Sequence, residues 1–154
     1  MNASLKVVAA GLLPMIVACS PEQMDGDRSE PISLEVSIDE IMTGVITPAT
    51  NVIWGRSFAD DLSAEDWQRF LQSAIQISLS ASALSLVPPE ANAGGNLAAG
   101  DTARWREWSS QLAGLAEVAK AAALTKDQAA LVDAGDAMVE ICEACHTAYL
   151  AGAQ

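Results

Sequence analysis

Histidine occurs once in these 154 residues, as His146, and that scarcity alone excludes much chemistry. A nucleophile served by a histidine base, or a zinc site rich in imidazole, has one residue to draw on. Basic residues are scarce too. Eight Lys and Arg face 20 Asp and Glu, for a net charge of −12, and no basic patch interrupts the acidic excess. Such a surface repels nucleic acid and anionic lipid headgroups and suits a cationic protein partner, although many soluble acidic proteins carry similar charge with no partner. Aromatic residues make up 5% of the chain, four of them Trp. β-Branched runs are short, no internal repeat is apparent, and no apolar run comfortably reaches the length of a bilayer span. What remains is an alanine-rich chain that is 51% hydrophobic and 18% charged. That supplies one core, and the helix-forming bias predicts a small all-α domain with a short segment to spare for targeting.

The first residues supply that segment. Lys6 gives a modest positive region, and Val7 to Ala18 is an apolar stretch with the length of a signal-peptide core. It ends in Ile16-Val17-Ala18-Cys19, which resembles a bacterial lipobox. The resemblance implies that residues 1–18 are a lipoprotein signal peptide and that Cys19 is lipidated as the first mature residue, anchoring the protein to a membrane. Ser20 stands where Asp would imply inner-membrane retention, so the implied address is the periplasmic side of the outer membrane. An ordinary signal peptide with a stray Cys would give export without the anchor. Residues 19–36 are polar, carry Pro21 and Pro31 and show no periodicity, which reads as a flexible tether.

Residues 37–154 read as four helices. Ser37-Ile-Asp-Glu40 is a capping-box pattern ahead of Ile38, Ile41, Val45, Ala49 and Val52 at helical spacing, with Met42, Ile46 and Ile53 on the flank. Pro48 falls inside this run and predicts a kinked helix through Trp54. Ser63-Ala-Glu-Asp66 caps a second helix with the face Trp67, Phe70, Leu71, Ala74, Ile77, Ala81 and Leu84. The segment from Val87 to Gly100, rich in Pro, Gly and Asn, breaks the pattern. A third helix from about Asp101 places Trp105, Trp108, Leu112, Leu115, Ala119 and Ala122 on one seam. Thr125-Lys-Asp-Gln128 predicts a capping box for a fourth, with the face Leu131, Ala134, Met138, Ile141, Cys142, Cys145 and Tyr149. Four amphipathic segments with mostly short connections predict an antiparallel four-helix bundle.

The chemistry gathers near the end of the fourth segment, in Cys142-Glu-Ala-Cys145-His146. Cys-x-x-Cys-His is the attachment signal of c-type haem. Two thiols at this spacing reach two vinyl groups on one edge of a porphyrin, and the adjacent imidazole sits under the iron. On a helix the separations of three and four residues bring all three side chains to one face. Of the three cysteines, one fits the lipobox and two fit the haem motif. Export to an oxidising compartment is also where c-type haem is attached. Other readings of the pair fare worse. A thioredoxin-like pair expects a βαβ context, a disulfide across three helical residues is geometrically awkward, and zinc lacks ligands.

The position of the motif, on the last of four helices, resembles the class II cytochromes c, the cytochrome c′ and c-556 group. The resemblance runs from Ser37 to about Ala151 and includes Cys142, Cys145, His146 and Tyr149 as Cys-x-x-Cys-His-x-x-Tyr, with Met42 in the first helix. It implies one covalent haem c on Cys142 and Cys145, His146 as proximal iron ligand, Tyr149 packed on the haem, and a homodimer through the first two helices as an option. Leu150 departs from the basic residue that the family often carries there, which puts in doubt the proximal electrostatics of its five-coordinate members.

The sixth iron position decides between functions. Met1 and Met15 leave with the signal peptide, Met24 lies in the tether, and Met138 lies two turns before His146 on the same helix. Met42 sits where the c-556 type carries its distal ligand, and its alternative role is plain core packing. With Met42 on iron the expected function is one-electron transfer to a redox protein partner, with no enzymatic activity. With the position open or guarded by an apolar side chain, the haem would bind NO or CO. A remote third reading is a helical lipoprotein without haem that serves a partner complex. Trp54, Trp67, Trp105 and Trp108 are expected in the core or against the porphyrin, and Arg56, Arg69, Arg104 or Arg106 could pair with propionates.

Overall fold

A computed structural model describes residues 36–87 and 102–150 of the chain. The signal peptide, Cys19, Met24, nearly all of the tether and the Pro/Gly-rich connection after Val87 lie outside the described residues. Among the described residues the protein is all-helical, with no strand. The first helical run comprises α1 (Ile38–Ile41), a π-helical turn (Met42–Ile46) and α2 (Thr47–Arg56), continuous with one another. Three long helices follow, α3 (Ala64–Leu86), α4 (Thr102–Thr125) and α5 (Gln128–Tyr149). Helix α3 packs on α4, α4 on α5, and α2 on both α3 and α5, while the π turn lies on α3. These contacts make a bundle-like fold. None of the described helices is long and apolar enough to cross a membrane.

Both serine caps form as the sequence predicts. The Ser37 hydroxyl accepts from the Glu40 amide at 3.1 Å while the Glu40 carboxylate accepts from the Ser37 amide at 2.8 Å. Ser63 and Asp66 repeat the arrangement at 3.1 and 2.8 Å. Each box satisfies donors that a helix start otherwise leaves without partners. The predicted cap at Thr125 does not form. Thr125 is the last residue of α4, and its hydroxyl bonds back to the carbonyl of Ala121 at 3.0 Å. Lys126 takes the left-handed conformation (φ 58°), and the Asp127 amide closes on the Ala122 carbonyl at 2.9 Å. That is a Schellman ending, and it leaves Asp127 to cap α5 through the Ala130 amide at 3.0 Å.

The first run also departs from its sequence pattern. Its buried residues are Ile38, Ile41, Ile46, Ala49, Thr50 and Ile53, whereas Val45 and Val52 are only half-buried. The π turn accounts for the shift. The Thr47 amide reaches the Met42 carbonyl five residues back, so one extra residue enters the helix and every later position moves round by one. Pro48 follows at once and has no amide to offer the Gly44 carbonyl. The chain continues through Pro48 to Arg56 because the loosened turn absorbs the mismatch. The Thr50 hydroxyl meets the carbonyls of Ile46 and Thr47, each at 3.0 Å.

Two clusters make the core. One joins Ile53, Phe70, Ala74, Ile77, Ala116, Leu131 and Met138, all completely buried. The other joins Ile38, Ile41, Ile46, Leu84, Trp105 and Tyr149, with Met42, Trp108 and Cys145 against it. Polar ties join the first run and the turn after it to α5. The Trp54 indole donates to the Gly135 carbonyl at 3.1 Å, and the Gln128 amide donates to the Ser57 and Ala59 carbonyls at 2.7 and 3.0 Å.

Candidate functional site

Beside the second cluster the side chains leave a cavity of about 260 Å³. Helix α5 contributes Ile141, Cys142, Glu143, Cys145 and His146, and the first run contributes Met42, Ile46, Thr47, Thr50 and Trp54. Helix α4 adds Trp105, Trp108, Ser109 and Leu112, and Leu84 comes from α3. Four residues singled out in the sequence, Met42, Cys142, Cys145 and His146, thus border one space. Helical geometry explains the grouping on α5, since positions 142, 145 and 146 fall on one face.

Both thiols are free and half-buried. Burial pushes the Cys145 thiol up to about 11, with Cys142 beside it adding a smaller contribution. Burial, then the Glu143 carboxylate, also raises Cys142. Neither thiol is activated as a nucleophile in the manner of a disulfide oxidoreductase, whose attacking cysteine is held low. Among the described residues no group of three or more His, Cys, Asp and Glu is arranged to hold a bare metal ion. His146 is exposed and borders the cavity, so the site has one imidazole.

Tyr149 is buried but does not border the cavity. Its ring meets Trp105 edge-on at 5.2 Å and Trp108 at 6.1 Å, so it supports the two indoles that do. The Trp105 indole is fixed by donating to the Leu84 carbonyl at 2.8 Å. The four tryptophans divide: Trp54, Trp105 and Trp108 border the cavity, and Trp67 packs edge-on against Phe70 in the other cluster at 5.6 Å. Met138 is wholly buried in that other cluster, away from the lining. The arginines divide as well. Arg56 pairs with Asp61 and Asp66, and Arg69 with Glu65. Arg104 lies over the Trp108 ring, 5.6 Å from its centroid, which brings a cation to a residue of the cavity wall.

Sequence reasoning did not single out Thr50 and Ser109 at the site, both of them buried small polar residues. The signal for the first was present, because 42, 46, 50 and 54 recur every four residues. No family model, curated protein or solved structure matches the chain.

Proposed function

We propose that this chain is a c-type cytochrome resembling the class II group, an antiparallel four-helix bundle that carries one covalent haem and transfers single electrons on the periplasmic side of a membrane. The observation that carries the reading is that Cys142, Cys145, His146 and Met42 border one apolar cavity. The antiparallel arrangement is supported by the two-residue connection between the packed helices α4 and α5. It is supported also by Leu84, near the end of α3, clustering with Trp105, near the start of α4.

The residues present suit the group. The cavity is open at its rim and bordered mostly by apolar side chains, so a flat apolar body seated there would cover wall surface that water otherwise meets and so stabilise the bundle. Each thiol would add across a vinyl double bond. Its sulfur joins one carbon and its proton ends on the other, with no leaving group and no change in electron count. His146 and Met42 are the residues that would serve as iron ligands of the haem. Arg104, already at the wall through Trp108, is the arginine best placed to meet a propionate. Bound there, the haem would supply a one-electron couple, raised by a thioether ligand and tuned by burial. Cys19 would tether the domain to the membrane, and the acidic surface would favour a cationic redox partner.

The test is the absorption spectrum of protein matured in a haem-attaching host, recorded oxidised, reduced, and reduced with CO. A low-spin spectrum indifferent to CO, lost in Met42→Ala, is expected. A high-spin spectrum that shifts with CO in the unaltered protein would replace electron transfer with NO or CO binding. Absence of covalent haem would overturn both and leave a helical lipoprotein that serves a partner complex.

A further inference from the structure

Four of the residues that the first run presents to the cavity, Met42, Ile46, Thr50 and Trp54, are spaced by four. In an uninterrupted α-helix, four residues turn the chain through about 400°, so such a stripe drifts by about 40° per step and about 120° from position 42 to 54. Met42 and Trp54 would then face different neighbours. A turn closed over five residues takes in one more residue and removes much of that drift. The closure lies between the Met42 carbonyl and the Thr47 amide, directly ahead of Pro48. On either side of it the helix buries its own apolar face, Ile38 and Ile41 before, Ile46, Ala49 and Ile53 after. Met42 reaches the cavity because of that one extra residue.

Resting on the reading of Met42 as an iron ligand, we propose that the π turn Met42–Ile46 is the positioning element for that ligand, selecting Met42 over Ile41 for the cavity. Gly44 is the residue to remove in testing it. A Cβ on Gly44 would meet nothing within 4 Å, so its deletion empties no packing position. With α2 held by its core contacts, the deletion leaves a helix of ordinary pitch. Position 54 then lies eleven ordinary steps, about 1100°, from position 42, leaving the small remainder that the π turn already provides, so Met42 keeps its place.

Four haem-loaded full-length proteins are compared by spectrum and CO response: the unaltered chain, the Gly44 deletion, the exchange Ile41→Met/Met42→Ile, and the deletion combined with the exchange. The deletion should keep the low-spin, CO-indifferent spectrum, and the exchange, alone or combined with the deletion, should turn it into a high-spin, CO-binding one. Loss of the low-spin spectrum in the deletion, or a low-spin spectrum in either exchanged protein, overturns the proposal. Should the deletion not fold, the exchange decides: a helix free to slip keeps the methionine on iron, and a fixed π turn loses it. Peroxide oxidation of Met42 relative to buried Met138, read by peptide mass spectrometry in the haem-free protein, gives a measure independent of the iron. The ratio should be unchanged in the deletion, and a changed ratio overturns the register argument. An unaltered spectrum in Met42→Ala would instead sink the ligand reading alone.

Discussion

The two core clusters are drawn from the same helical runs and filled in opposite ways. In the first, Ala74, Ala81, Ala116 and Ala119 alternate with Ile53, Phe70, Ile77 and Leu131, and all are buried to within 1% of completely. In the second, Trp105 and Tyr149 replace the alanines, their rings meet edge-on, and a cavity of about 260 Å³ lies beside them. Small side chains let helices approach and fill the gap with aliphatic neighbours, as close packing requires. Rigid rings fixed by a hydrogen bond such as that of Trp105 keep their shape and frame a space. The helical pattern is the same in both. Residue size decides which part of the bundle is closed and which can receive a guest.

Truncating one large residue in each cluster puts that comparison at risk. Phe70→Ala removes a completely buried ring from the first cluster and should cost about 3–5 kcal/mol. Trp108→Ala removes a half-buried side chain that already borders open space, and in the haem-free protein it should cost less than half as much. Urea unfolding of the two variants measures both. Equal losses would mean that the cavity wall is as tightly packed as the core, and the contrast would fail.

The same contrast explains what the sequence revealed. Faces of α3 and α5 could be read directly from their recurring apolar residues, and the two serine capping boxes fixed where helices start. On α4, however, the buried face includes Ser109 and Ala116, while Trp108 and Leu115, expected on the seam, are only half-buried. The face of the first run could not, since Val45 and Ile46 are equally apolar neighbours and only the π turn determines which is buried. Thr125 misled for a related reason. Its hydroxyl can serve the end of one helix or the start of the next, and Asp127 two residues later caps α5 from a better position. At the site, the Cys-x-x-Cys-His spacing was legible because it lies within one helix. The pairing of Met42 with that motif came only from the family resemblance, because the spacing within one helix does not say how separate helices pack.

Smaller effects should fall on the closed cluster and leave the cavity alone. Asp127→Ala takes the cap from α5, whose first buried residue is Leu131, and should cost about 1 kcal/mol in thermal unfolding. It should leave the spectrum of the proposed haem unchanged. A spectral change would mean that the two regions are mechanically coupled through α5.

The smallest expected effect is electrostatic and lies where α2 meets α3. The Ser63 hydroxyl and amide donate to the Asp66 carboxylate, and Arg56 lies against it, so its carboxyl is drawn from 3.8 down to about 2. A carboxylate held low in the folded state contributes stability that is fully present above its unfolded value near pH 4 and is lost as pH falls through 2. Other acids in the chain also protonate over this range, so the informative quantity is a difference. The melting temperature of the unaltered protein should exceed that of Asp66→Asn at pH 5, and the gap should narrow steadily towards pH 2. A gap that stays constant would assign the contribution of Asp66 to capping geometry, which Asn can reproduce in part, and not to its charge. Because Asp66 adjoins Trp67 of the first cluster, absorption of the proposed haem recorded over the same interval should not follow the narrowing gap.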